Sequence, residues 1–256
     1  FIHATFLRQA KYFLKTKLGL SDEEFSHCPL HPIYGTGQGS ANSPVIWVLI
    51  SSRLFDAHAA RAYGATFFSP DRSLQLQMFM IGFVDDSNAC VNDFANPNQS
   101  PTVLLQRATA DAQLWNDLLC CSGGALEIPK CAHHLAHYDF SVAGAPVLKT
   151  LPLQQDAVKI REPSKLDPTS LKYLSPYVAR KTLGCSKSPS ANIKASLQHI
   201  ASIAKGKSEA VLKNFISAES AHRYYYSVFL PSVTYPFPTN TIPERHLRKV
   251  QNESIR

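Results

Sequence analysis

Two carboxylates stand side by side in the stretch MFMIGFVDDSNACVNDF, residues 78–94, where Asp85 and Asp86 follow seven residues without a charge. Neighbouring carboxylates repel, and an apolar flank withholds the water that would screen them. A divalent cation removes the conflict, because Mg²⁺ takes hard oxygen ligands and keeps positions open for water or phosphate. Two such ions about 3.5–4 Å apart clamp the attacking and departing oxygens of an in-line phosphoryl displacement. Side chains alternate along a strand, so Asp85 and Asp86 do not both face one ion if extended geometry runs through them. One is then the principal ligand and the other its support. An ordinary polar turn also contains such pairs, and only the surroundings separate the two cases.

Those surroundings are a set of elements that would have to hold the pair. Leu74 to Cys90 reads as two β-rich runs meeting at the acids, which predicts a hairpin with both carboxylates at its tip. Upstream, SPVIWVLISSRLFDAHAARAYG predicts a helix of about 20 residues, with Pro44 at its start and Gly64 as its stop. Before it, CPLHPIYGTGQGSANSP, residues 28–44, is a loop with demanding backbone angles. Residues 1–18 carry apolar side chains near helical spacing, and Ser21 with Glu24 forms a capping-box pattern for a second short helix. Downstream, PTVLLQRATADAQLWNDLLCC, residues 101–121, has Leu104, Leu105, Ala108, Ala112, Trp115, Leu118 and Leu119 on one helical side, and SGG ends it. Short β-like runs follow from Ala125 to Leu148. The order helix, loop, helix, hairpin, helix, strand, hairpin predicts an α+β fold, an antiparallel sheet with helices on one face. A polar, proline-bearing stretch, REPSKLDPTS, marks a boundary within residues 150–170. Beyond it, Ile193 to Ala204 and Glu209 to Phe229 predict helices.

Other reactive side chains have weaker patterns. Cys131, His133, His134 and His137 follow Cys120 and Cys121, but a four-residue His spacing converges on one ion only in a helix, and no CxxC pair accompanies them. His58, His199, His222 and His246 are scattered. In SAHRYYYSVFLPSVTYPFP, Arg223 stands beside Tyr224, Tyr225 and Tyr226, with Tyr235 further on; such interleaving stacks bases and holds phosphates, and a tyrosine-rich helix packed on a neighbouring element has the same composition.

Composition narrows the classes. The chain has 256 residues, 45% hydrophobic and 18% charged, enough for one large domain or a domain with an appendage. Apolar runs such as VIWVL fall far short of the roughly 20 residues of a membrane span, which predicts no membrane partner. Six irregularly spaced cysteines describe no disulfide framework, so the expected setting is intracellular, nucleus or cytoplasm. Ile160 to Arg256 carries 15 Lys or Arg against 6 Asp or Glu, whereas residues 1–159 carry 11 against 13. A near-neutral part followed by a basic one suggests chemistry in the first and a polyanion held by the second.

Taken in order, GTGQGSANSP with its following helix, the FVDD hairpin, and the helix ending in SGGALEIPKC resemble the palm of reverse transcriptases. Gln38, Gly39, Ser43 and Pro44 are similar to the family's motif B, FVDD to motif C, GGALEIPKC to motif D, and HYDFSVAGAPV to the motif E hairpin that grips the primer. RKTLGCSKSP, residues 180–189, resembles the K-x-LG stretch beyond the palm in retroelements without long terminal repeats. The resemblance spans residues 28–150. It implies the C-terminal part of a palm over residues 1–150 and a basic, mainly helical thumb-like or connection region over 151–256.

The resemblance also implies roles. Asp85 is the principal ligand of Mg²⁺ and Asp86 its partner, in a site of two ions with Mn²⁺ as the alternative metal. Gly37 and Gly39 let backbone approach the nucleotide, and Gln38 hydrogen-bonds near the base or template. Ser43 and Pro44, at the start of the supporting helix, join Gly37, Gln38, Gly39 and Phe83 in the expected substrate-binding set. Phe83 packs against the hairpin or the primer end, and Lys130 brings a proton or a positive charge to the departing pyrophosphate. RNA template, DNA primer and deoxynucleotides are the expected partners. One departure is as informative: such palms need a further metal-binding aspartate on a strand before motif B, and Asp22 is the only aspartate before Gly35. The expected chain therefore begins after motif A and is inactive alone. The alternative is a catalytically dead, retroelement-derived nucleic-acid-binding module.

Overall fold

The structure is a computed structural model and describes residues 9–17, 19–26, 43–93, 100–149, 157–163, 165–214, 216–239 and 242–255, without the side chains of 239 and 252–255. The chain forms two compact units, one of Phe1–Cys131 with Gln155–Lys172 and one of Ala132–Gln154 with Tyr173–Arg256. Each mixes helices with short antiparallel ladders, as the α+β class requires. Among the described residues the strands pair two by two, where one continuous sheet was expected.

The first unit opens with four short strands, β1 (Lys11–Tyr12), β2 (Lys15–Thr16), β3 (Gly19–Leu20) and β4 (Phe25–Ser26), pairing β1 with β4 and β2 with β3. Over residues 10–17 this corrects the helix expected over residues 1–18; Gln9 is helical, and 1–8 lie outside the described residues. Gly19 turns the chain at φ +131°, a conformation available to glycine, and closes β2 onto β3. The capping-box residues are used otherwise: the Ser21 hydroxyl accepts the Leu14 N–H and donates to the Glu23 carbonyl, while Glu24 pairs with Lys11.

Helix α1 (Ser43–Ala59) starts at the Ser-Pro pair as expected and ends before Gly64, whose φ is +64°. Strand β5 (Ala65–Phe68) then pairs with β6 (Gln75–Met78), and β7 (Met80–Phe83) pairs with β8 (Asp86–Ala89). The run expected from Leu74 to the acids is therefore split at Phe79 between two ladders. Helix α2 (Pro101–Cys121) has the expected bounds. The Ser100 hydroxyl caps it by accepting the Thr102 N–H, and Gly123 at φ +87° follows its end. Gln113 of α2 reads the backbone of Arg161 in both directions, its Oε1 accepting the N–H at 2.7 Å and its Nε2 donating to the carbonyl at 3.2 Å. That anchors the ladder Lys159–Ile160 with Thr169–Ser170, whose neighbours Val158 and Leu171 are buried with Ile160.

In the second unit, His137–Phe140 pairs with Pro146–Lys149, a hairpin where HYDFSVAGAPV was expected to form one, and Arg180–Thr182 pairs with Cys185–Lys187 within the region expected to be mainly helical. Helix α3 (Lys194–Lys213) runs unbroken through Gly206, where two helices were expected. A mid-helix glycine costs only about 1 kcal/mol, which packing of Ile200 and Ala204 offsets. Helix α4 (Ala218–Tyr224) passes through a π turn, Tyr225–Phe229, into α5 (Leu230–Thr234). Pro231 explains the widened turn, since it has no N–H for the carbonyl four residues back and its ring crowds that group. The Leu230 N–H reaches instead to the Tyr225 carbonyl. Phe229 and Val233 face Ile200, Ala204 and Ile203 of α3, and Val250 of α6 (Glu244–Ile255) joins the same core.

Candidate metal centre

Strands β7 and β8 meet in a two-residue loop, Val84–Asp85, with Phe83 opposite Asp86. Positive φ occurs at the first loop residue alone, Val84 at +53°, the sign pattern of a type II′ turn. A β-branched residue in that region is strained, at a cost of about 1–2 kcal/mol. Asp85 is thus a loop residue and Asp86 the first strand residue, so extended geometry does not run through both. Both side chains are exposed, and among the described residues neither has a hydrogen-bond or ion-pair partner.

The hairpin is docked through one cross-strand pair, Gly82 with Ser87. A Cβ on Gly82 would lie 2.3 Å from Cζ of Phe55, so only glycine lets the strand sit on that ring. The Phe55 ring stacks on Trp115 of α2 at 5.3 Å and 1°, and the Trp115 indole N–H donates to the Ser87 hydroxyl at 3.1 Å. Alternation then puts Ile81, Phe83 and Asp86 on the opposite, open face.

A buried polar knot fixes the helices beneath. Asp111 is 2% exposed, and its carboxylate accepts the N–H groups of Tyr63 at 2.9 Å and Gly64 at 3.0 Å. The fully buried His58 lies edge-on to Trp115, and its Nε2 is 3.1 Å from the Asp111 carbonyl, where it donates. Beyond β8, Asn92 exchanges two hydrogen bonds with the backbone of Thr66, and Asp93 pairs with Arg107.

These contacts orient the tip. Asp111 and Phe79 lie beside Gly64, just past the end of α1, while Gly82 rests on Phe55 within it. Strand β7 therefore runs back along α1 and carries Asp85 toward the helix's N-terminal half. Phe83 is one strand residue, roughly 3.3 Å, beyond Gly82, and the chain turns back at Val84–Asp85, so Asp85 stays within about 7 Å of Gly82 along the strand. Ser43 is about 18 Å from Phe55 along the helix. The acids thus approach the end where Ser43 and Pro44 stand without reaching it. Gly37, Gln38 and Gly39 lie outside the described residues. Lys130 ends a 3₁₀ turn, Ile128–Lys130, held to the unit by the buried Ile128, with its own side chain exposed.

The donor set suits Mg²⁺ in kind, since both groups offer hard oxygens, and is short in number, since two carboxylates leave most positions to other ligands. Among the described residues no cluster of three or more His, Cys, Asp or Glu surrounds one point. Around the tip, Phe83 is 59% exposed and Ile81 56%, and both edges of the β7–β8 ladder are open among the described residues.

Sequence reasoning overlooked His58 and Asp111 as supports. The signal for Asp111 was its place four residues before Trp115, an acid on an otherwise apolar helix stripe, where a buried carboxylate must find donors. No protein-family model matches the chain, and no curated protein and no solved structure matches it either.

Proposed function

We propose that this chain is the motif B-to-E part of a reverse transcriptase palm with its basic neighbouring region, and that its parent extends a primer 3′-hydroxyl on an RNA template with deoxynucleotides. The observation that carries this reading is the acidic hairpin tip, held on the Phe55–Trp115 stack and directed back along α1 toward its N-terminal half. Mg²⁺, when bound, would neutralise the acids and stabilise charge on the reacting phosphate. Asp85, at the loop apex, is the principal donor, and Asp86, on the open face, the marginal one. Phe83 shares that face with Asp86 and is available to a primer end. Lys130 is the candidate for meeting charge on the leaving pyrophosphate.

The edges of β7 and β8, open among the described residues, with Ile81 and Phe83 exposed, leave room there for a further strand beside the hairpin, where a third carboxylate would complete the set. A second reading, a dead nucleic-acid-binding module, draws on the short donor set. Primer extension separates the two. The polypeptide lengthened upstream by an aspartate-bearing strand and its basic fingers should copy an RNA template with Mg²⁺ or Mn²⁺. Template binding without extension, with that aspartate present, would favour the module.

A further inference from the structure

The second unit has an exposed aromatic surface that the metal centre does not use. Tyr225 is 45% exposed and Tyr226 57%, yet their rings are ordered against each other and their neighbours. Tyr225 stacks on Phe229 at 5.4 Å and 17°, Tyr226 stands edge-on to Tyr225 at 5.1 Å, and His222 lies 4.8 Å from Tyr226. The π turn widens the helix at this point, and Phe229 is the anchor because it also reaches the α3 core.

Cations occur on the neighbouring elements of the same unit. Lys207 of α3 lies 6.0 Å from the Tyr224 ring centroid, and Arg223 is held out by Glu219 one helical turn away. From the end of α5, Tyr235 closes on the tip of the 180–187 hairpin, its ring 3.1 Å from where a Gly184 Cβ would sit. That hairpin carries Lys181 and Lys187, both exposed, and Arg180 directly opposite Lys187.

We infer that the tyrosine surface of helix 218–235, with the lysines of the 180–187 hairpin, is a binding site for single-stranded nucleic acid. Ordered, exposed rings with a polar edge offer unpaired bases a stacking face, and flanking cations follow the phosphates. A duplex hides its base faces and gains nothing from Tyr225 and Tyr226, which selects the unpaired strand as occupant. The site lies outside the metal centre and needs no divalent ion.

The full chain is titrated, in chelator, into a fluorescein-labelled uridine oligonucleotide of about 12 nucleotides, within the span of single-strand sites. Fluorescence anisotropy should show binding, weakened about tenfold or more by Tyr225→Ala with Tyr226→Ala and largely retained by the two Phe variants. Lys181→Gln with Lys187→Gln should flatten the dependence on salt by roughly 0.7 in log–log slope for each phosphate no longer neutralised. Unchanged affinity in the double alanine variant, or equal affinity for a blunt duplex, overturns the assignment. Because no metal or deoxynucleoside triphosphate is present, failure of the polymerase reading would leave this result untouched.

Discussion

Two hairpins with two-residue loops, Val84–Asp85 and Leu183–Gly184, have opposite chemistry and different support. In the second, both loop residues have positive φ, +50° and +78°; Gly184 takes one without cost, and Leu183 bears a backbone strain like that of Val84. Its flanks are basic and its tip leans on one exposed tyrosine. The first puts valine in the left-handed region, exposes two acids, and is clamped from below by a buried aromatic stack. Local turn preference supports the basic hairpin at Gly184 alone. Tertiary packing is needed to hold the acidic one, and strain held by packing is a feature of functional loops.

The strongest test of that difference removes the clamp. Trp115→Ala should cost about 3–5 kcal/mol in urea unfolding, whereas Tyr235→Ala beneath the basic hairpin should cost well under half of that. Equal losses would erase the contrast. Next comes Gly82→Ala, whose Cβ meets Phe55 and should cost about 1–3 kcal/mol by overpacking. The corresponding Gly184→Ala meets a ring edge at 3.1 Å that is free to yield, leaving mainly the backbone cost of about 1 kcal/mol. Val84→Gly should act in the other direction, raising stability by about 1 kcal/mol as the strain is released. A loss of stability there would mean that the valine side chain contributes packing that outweighs its backbone strain.

A smaller, pH-dependent effect belongs to the second unit alone. Burial, and then the neighbouring His134, push the His133 imidazole below its ordinary value of 6.5. The fold therefore favours neutral His133, and its contribution is complete above 6.5 and declines as pH falls from there toward the lowered value. Urea midpoints compared at about pH 7.5 and about pH 5 should drop less in His133→Gln than in the parent chain. The acidic hairpin should not share in that difference.

Legibility in the sequence followed the same division. Helix α2 was readable end to end because Ser100-Pro101, an apolar period and SGG agree locally, and the acidic hairpin was readable because two β-rich runs bracket the acids. Residues 11–26 misled because apolar spacing near 3.6 was outweighed by Gly19 and by the Lys11–Glu24 pair. The support of the tip was hidden for another reason. Nothing local says that Asp111 will cap Tyr63 and Gly64, or that Gly82 will meet Phe55, since those partners are 47–48 and 27 residues apart in the chain and come together only when α1 and α2 pack. The strands at 159–187 were missed because runs of two or three residues carry no period to detect.

The central claim, that the tip of β7–β8 is the metal-bearing part of a polymerase site, is tested most directly by Asp85→Asn in the lengthened, extension-competent polypeptide. The substitution keeps the shape of an exposed loop side chain and removes its charge. Primer extension should fall by about 100-fold or more, the scale seen when a group stabilising transition-state charge is removed, with template binding retained. Extension at the parent rate would contradict the claim.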